Sequence, residues 1–315
     1  MSGPHVATLD DVSQLKRVFS DAFTDRYRKD GLVGVRVPQL NPAIWRYALQ
    51  DADRGAMIWR DEQNEVVAFN IVHRSGSEGW MGPLAVRTDR QGMGVGRVIV
   101  EAAIEWLREA GVLTIGLETM PRTVENIGFY SRLGFIPRHL TITMTGEATR
   151  RAVSGPVSEL ARLPKAERAE LMRKCAERLS RSAHGRDFRR EMELTDQLGI
   201  GDTVVIEREG VVSAFAVWHS APLTRGRSAD ELRVLKLFAD SVESFERLVV
   251  AVELCAGRAN LRRVAIRCQT AYGSAYRALL ERGYRVRWTD LRMTLVGYPE
   301  MELPEGEILF SNWEI

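Results

Sequence analysis

Apolar residues at Val12, Leu15, Val18, Phe19 and Phe23 recur with helical spacing, so one side of a helix is apolar. Thr8 and Asp11 stand before them at capping-box spacing, which starts that helix near Thr8. Asn41 followed by Pro42 opens a second helix, because asparagine caps free amides and proline suits the first helical position. Residues 55–60 and 66–73 are strand-like and flank a polar turn, which predicts a hairpin, and residues 80–86 predict a third strand. From Arg97 to Ala110, Glu101, Glu105, Arg108 and Glu109 share one face of an amphipathic helix that stops at Gly111. Residues 113–119 then read as a strand, 123–133 as a helix, and 135–145 as a strand or strand pair. Helices interrupting a mostly β succession predict an α/β (α+β) class.

The punctuation at Ser154, Gly155 and Pro156 and at Leu163 and Pro164 falls within a polar, arginine-rich stretch, residues 147–165, and marks a boundary. A helix follows over 164–182. The five arginines of residues 178–190 read as a solvated face. Beyond the boundary the pattern of the first half returns at a nearly constant offset. Ala68, Phe69 and His73 correspond to Ala214, Phe215 and His219, and Gly134, Arg138, Met144 and Thr145 to Gly283, Arg287, Met293 and Thr294. Two copies of one fold are expected, residues 1–146 and 147–315, each a mixed, mostly antiparallel twisted sheet flanked by helices.

The bulk composition narrows the function classes. The 315 residues suit two domains. Net charge is +2, from 44 basic and 42 acidic residues, which makes no electrostatic case for nucleic acid or an anionic membrane. Cys175, Cys255 and Cys268 are widely separated, without metal-ligand or disulfide-framework spacing. No run approaches the roughly 20 apolar residues of a membrane span, and no signal-peptide pattern is present. A cytoplasmic, metal-free protein is the expectation.

Candidate chemistry centres on Gln91, Gly92, Met93, Gly94, Val95 and Gly96, between a strand and the helix that begins at Arg97. Glycines permit conformations in which successive amides converge on one anion, and a helix N-terminus adds further donors. The dinucleotide fingerprint is absent, and so is the lysine with serine or threonine that a P-loop requires. Residues 84–97, LAVRTDRQGMGVGR, with residues 126–135, NIGFYSRLGF, resemble the GNAT superfamily of acyl-CoA-dependent N-acyltransferases. The motif resemblance covers about residues 5–146 and reaches the rest only through the repeat. It implies that Leu84, Ala85 and Val86 meet the pantetheine arm, that residues 91–97, ending at Arg97, hold the pyrophosphate, and that Tyr130 protonates the leaving thiolate. Asn126 or Thr123 would meet the cofactor. With an ordinary pKa near 10 against roughly 8.5 for a thiol, the tyrosine is expected to pass its proton downhill to that thiolate.

An amine acceptor must lose a proton before it attacks, so a base is needed. His73 shares strand parity with Val67, Phe69 and Ile71 and has a histidine counterpart, so it reads as structural. Glu78 reads as a solvated turn residue. Glu118, aligned with Gln269 in the second copy, is the base candidate. Opposite residues 91–96 the second copy offers residues 241–246 without glycine, and opposite Tyr130 it offers Leu279. These observations lead to one competent site in the first half and a degenerate copy that braces it or walls the acceptor groove. The expected reaction is direct transfer of acetyl from acetyl-CoA to a primary amine on a small molecule or peptide. Helices one and two and their connection, around Tyr27 to Arg36, would lie near that groove. A mycothiol-synthase-like acetyltransferase and a noncatalytic acyl-CoA sensor are the alternatives.

Overall fold

Local chemistry starts the helices where the sequence places them. The Thr8 amide donates to the Asp11 carboxylate at 2.9 Å, and the Asn41 side chain accepts from the Ala43 amide at 3.0 Å, so otherwise orphaned helix ends are satisfied. In the computed structural model, which describes residues 1–150, 156–224 and 229–313, the first half begins with β1 (Ser2–Val6), α1 (Val12–Lys29), α2 (Pro42–Ala52), β2 (Ala56–Arg60) and β3 (Val66–Ser75). It continues with β4 (Glu78–Val86), α3 (Val95–Glu109), β5 (Thr114–Thr119), α4 (Val124–Arg132) and β6 (Phe135–Glu147). The second half repeats that order as β7 (Val157–Glu159), α5 (Lys165–Ser182), α6 (Arg189–Leu198), β8 (Gly201–Arg208), β9 (Val211–His219) and β10 (Glu231–Ala239). Then follow α7 (Val242–Arg258), β11 (Arg263–Gln269), α8 (Gly273–Glu281), β12 (Arg285–Leu295) and a strand without a counterpart, β13 (Ile308–Ser311). Ser154 and Gly155 of the expected boundary lie outside the described residues. No described helix is long and apolar enough to cross a membrane.

The mixed, mostly antiparallel sheet flanked by helices is the expected class, but the two copies share it. Among the described residues the strand order is β1-β2-β3-β4-β5-β12-β6-β11-β10-β9-β8-β7, with β13 on β10. Read from either end, the order visits equivalent strands, so the halves are related by a pseudo-twofold through the β12–β6 pair. Residues 135–145 form part of one long strand, and β6 and β12 are exchanged. β12 pairs with β5 of the first half, and β6 with β11 of the second. The cores follow the exchange. Met293 and Leu295 pack with Ile99, Leu107, Ile115 and Leu117 of the first half, while Ile142 and Met144 pack with Leu248, Val252 and Ile266 of the second. The opposite face of the first half is closed by α1 and α2, through Leu15, Phe19 and Trp45 against Phe69 and Ile71.

The ladders also correct one alignment. Arg292 pairs with Glu118, and Thr143 with Arg267. Both members of this correspondence are 149 residues apart (292 less 143, and 267 less 118), so Glu118 is equivalent to Arg267 and not to Gln269.

Candidate active site

The site opens where β4 leaves β5. The two strands pair in parallel only from Glu78 with Thr114 to Met81 with Leu117, whereas β3 follows β4 to Val86 across a bulge at Gly82 and Pro83. Proline has no N–H to give a ladder, so Pro83 suits the point where pairing stops. Leu84, Ala85 and Val86 lie beyond that point and line a cavity of about 610 Å³.

The glycine loop stands at the end of this open edge. Gly92 and Gly94 have φ of 75° and 80°, a left-handed conformation that side chains disfavour. Gly94 is the N-cap of α3 and contributes no side-chain cap. Among the described residues, the amides of Gly92, Met93 and Gly94 make no backbone hydrogen bond. Those of Val95 and Gly96 are first-turn donors, which lack intrahelical acceptors. Together with the helix dipole they form a cradle suited to a diphosphate. Gln91 instead ties the loop down, donating to the Val86 carbonyl and accepting from Lys29, both at 3.1 Å. Met93 is exposed. Arg97 is also exposed and pairs with Glu101 at 2.7 Å.

Tyr130 lines the inner part of the cavity, buried between Phe129 and Phe135 at ring distances of 5.1 and 6.2 Å. Burial pushes its hydroxyl well above the ordinary phenol value. The energetics expected for it need correction. A phenol near 10 is a weaker acid than a thiol near 8.5, so full transfer to a free thiolate runs uphill, and burial widens the gap. Held neutral, the hydroxyl can donate a hydrogen bond but is a poor proton source. Asn126 lines the cavity. Thr123 is buried and donates to Asp30 at 2.6 Å, so of the two Asn126 is the one that faces the cavity.

The facing wall comes from the second half, through residues that sequence reasoning did not name. Glu231 and Leu235 of β10, Arg267 of β11, Trp288 and Asp290 of β12, and Trp313 all reach the cavity. Tyr27 of α1 faces Trp288 across 6.5 Å. Burial raises the Asp290 and Glu231 carboxyls above their ordinary values. Glu118 behaves differently. Burial works to raise its carboxyl, but Arg267 and Arg292 hold it below the ordinary value. Arg292 binds it at 2.7 Å, and Arg267 and Thr141 also contact it. A carboxylate held so firmly in ionised form is a poor proton acceptor.

Glu78 and the arginine stretch also depart from expectation. Glu78 is fully buried at the start of β4, with Arg186 at 3.6 Å, Trp80 Nε1 donating at 3.1 Å, and Ser311 donating as well. Burial opposes its charge, while Arg186 and Lys236 hold the carboxyl below its ordinary value. Arg186 is therefore a buried counter-ion and not part of a solvated face.

The equivalent notch of the second half is closed. β10 pairs with β11 from Glu231 to Val234, and from Lys236 to Ala239 its free edge pairs with β13. Phe310 of β13 packs against Phe245 and Tyr272. Ser241 accepts from the Ser244 amide and so caps α7 internally. A wider groove of about 1300 Å³ lies elsewhere, lined by Arg262, Arg282 and Tyr284, and none of the candidate residues reaches it. Among the described residues no group of His, Cys, Asp and Glu is arranged to hold a metal.

Comparison with known proteins agrees with this geometry. The Acetyltransferase (GNAT) family matches residues 16–135. A putative acetyltransferase from Pyrococcus horikoshii has the same fold with TM-score 0.68 and 17% identity, over 98% of this chain and 93% of its own. A tandem GNAT protein from the clavulanic acid biosynthesis pathway gives 0.53 and 13%, over 95% and 98%. Saccharomyces cerevisiae N-myristoyltransferase with bound myristoyl-CoA gives 0.62 and 11%, over 94% and 79%. No curated protein matches the chain in sequence. At these identities the structures speak for the fold, and the family match speaks for the kind of chemistry. Residues 16–135 therefore carry a domain that matches the Acetyltransferase (GNAT) family, and the solved structures share the fold of both halves.

Proposed function

We propose that the protein transfers acetyl from acetyl-CoA to a primary amine, by direct attack in a ternary complex. The observation that carries this reading is one continuous path, from the free amides of residues 92–96 along the open edge of Leu84–Val86 to Tyr130 in a cavity. The loop would hold the pyrophosphate and β4 the pantetheine arm, with Asn126 beside it. Tyr130 would donate to the thioester sulfur as charge develops there. Residues 1–146 supply the cofactor side, and residues 147–315 wall the acceptor side through β10, β12 and Trp313. Raised carboxyls at Glu231 and Asp290 favour an acceptor that brings positive charge to that wall. Catalysis then rests mainly on holding amine and thioester together.

The test is free-thiol release from acetyl-CoA with a panel of primary amines, alongside acetyl-CoA titration by calorimetry. Tyr130→Phe is expected to lower kcat roughly 100-fold with acetyl-CoA affinity unchanged. Turnover equal to wild type would remove Tyr130 from the mechanism. Binding without thiol release above background for any amine would favour the noncatalytic sensor. The tandem build is the support for a mycothiol-synthase-like acceptor, and the panel therefore includes a cysteinyl amine.

A further inference from the structure

His73 was expected to be structural, yet its environment is that of an oriented base. Its Nδ1 lies 2.6 Å from Asp51 Oδ2. An ionised carboxylate only accepts, so Nδ1 carries the proton and Nε2 is left with a bare lone pair. The side chain is 2% exposed, lines the same cavity as Tyr130, and its Nε2 has no hydrogen-bond partner among the described residues. Asp51, which takes Nδ1, belongs to α2, so the opposite ring edge is the one turned from that helix. His73 pairs with Trp80 on β4, two residues or about 7 Å along the strand from the bulge at Gly82. Trp313 stacks on the imidazole at 5.7 Å and fixes its plane. The second copy differs at this point. His219 engages Thr195 of α6 through Nε2 at 2.9 Å, so a neutral hydroxyl holds the very nitrogen that is free in the first half.

We infer that His73, oriented by Asp51, is the group that deprotonates the acceptor amine. The inference rests on the acyl-transfer reading above. Nε2 takes one proton from the acceptor ammonium, directly or through one water. The freed lone pair forms the C–N bond at the thioester carbonyl, and the C–S bond breaks with its electrons on sulfur. The remaining surplus proton on nitrogen ends on that sulfur, beside the Tyr130 hydroxyl. The charged groups packed around the dyad are Glu78 on β4, Glu191 on α6, Lys236 on β10, Arg292 on β12 and Arg186 before α6. Each has an ion-pair partner: Arg186 with Glu78 and Lys236 with Glu191, both at 3.6 Å, and Arg292 with Glu118 and Glu300 outside this set at 2.7 and 2.9 Å.

The test has two arms on the full chain. In ¹⁵N-histidine spectra, with His73→Gln used for assignment, His73 is expected as the Nδ1–H tautomer with unprotonated Nε2; the opposite tautomer overturns the inference. With any amine that wild type acetylates, His73→Gln is expected to lower kcat/KM roughly 100-fold and to abolish the acid limb of its pH profile. Asp51→Asn should give a smaller loss, and acetyl-CoA affinity should hold in both. An unchanged acid limb in His73→Gln overturns the dyad while leaving the acyltransferase reading intact. A wild type that binds acetyl-CoA but acetylates no amine removes that reading and the dyad's role with it.

Discussion

Glu118 and Arg267 occupy equivalent positions in the two copies and meet as an ion pair beside the pseudo-twofold. Both side chains are half-buried, so each depends in part on the other for solvation. Asp290 shares Arg267 at 3.0 Å. Arg267→Met is therefore expected to cost about 3 kcal/mol at pH 7 by denaturant unfolding. The sign with pH follows from the uncompensated carboxylates. In wild type the depressed carboxyl of Glu118 adds stability above its unfolded value and loses it on acidification. Without Arg267, Glu118 keeps Arg292 while Asp290 loses its ion pair, and burial favours the neutral form of Asp290, so the deficit should shrink as pH falls toward 4. An equal deficit at pH 7 and pH 4 would show that the pairing is not its source. The loop residues 91–96 were legible because positive φ is a backbone requirement that glycine records locally. His73 and Glu78 were not. Strand parity shows that a side chain points inward but not whether it meets solid core or a cavity.

Among the elements, β13 closes the notch of the second copy, and that sets the number of cofactor sites expected. It occupies the edge of β10 that is the counterpart of the open β4 edge, and Phe310 is fully buried there. Calorimetry should find one acetyl-CoA per chain, and two equivalent sites would contradict the closed notch. Phe310→Ala should destabilise by about 3 to 5 kcal/mol without lowering acetyl-CoA affinity in the first half. Helices α1, α2 and α3 were readable because caps and amphipathic faces are short-range signals. β1 and β13 were not anticipated. Strands of five and four residues offer too little alternation to distinguish from loop.

At the scale of the whole molecule the exchange of β6 and β12 makes the halves interdependent. Without β12, the β5 edge from Gly116 to Thr119 loses its partners Leu291 to Thr294, and the first-half core loses Met293 and Leu295. Residues 1–146 expressed alone are expected to lack a cooperative thermal transition, and co-expression with residues 147–315 should restore it. A fragment that melts sharply and binds acetyl-CoA on its own would refute this interdependence. The exchange also brings Trp288 and Asp290 to a cavity whose other side is built by Leu84–Val86, about 200 residues earlier, so that wall and the glycine loop belong to different copies.

The sequence by itself determined most of the elements, the duplication and the glycine loop, because these rest on periodicity, backbone freedom and ordered spacing, while Tyr130 was singled out by resemblance and Asn126 was left open against Thr123. Tertiary structure decided the rest. Which strand pairs with which, whether Glu118 is an available base or a bound counter-ion, and whether His73 meets a cavity all depend on residues distant in sequence. Burial and counter-charge are properties of the packed assembly, and no local pattern records them.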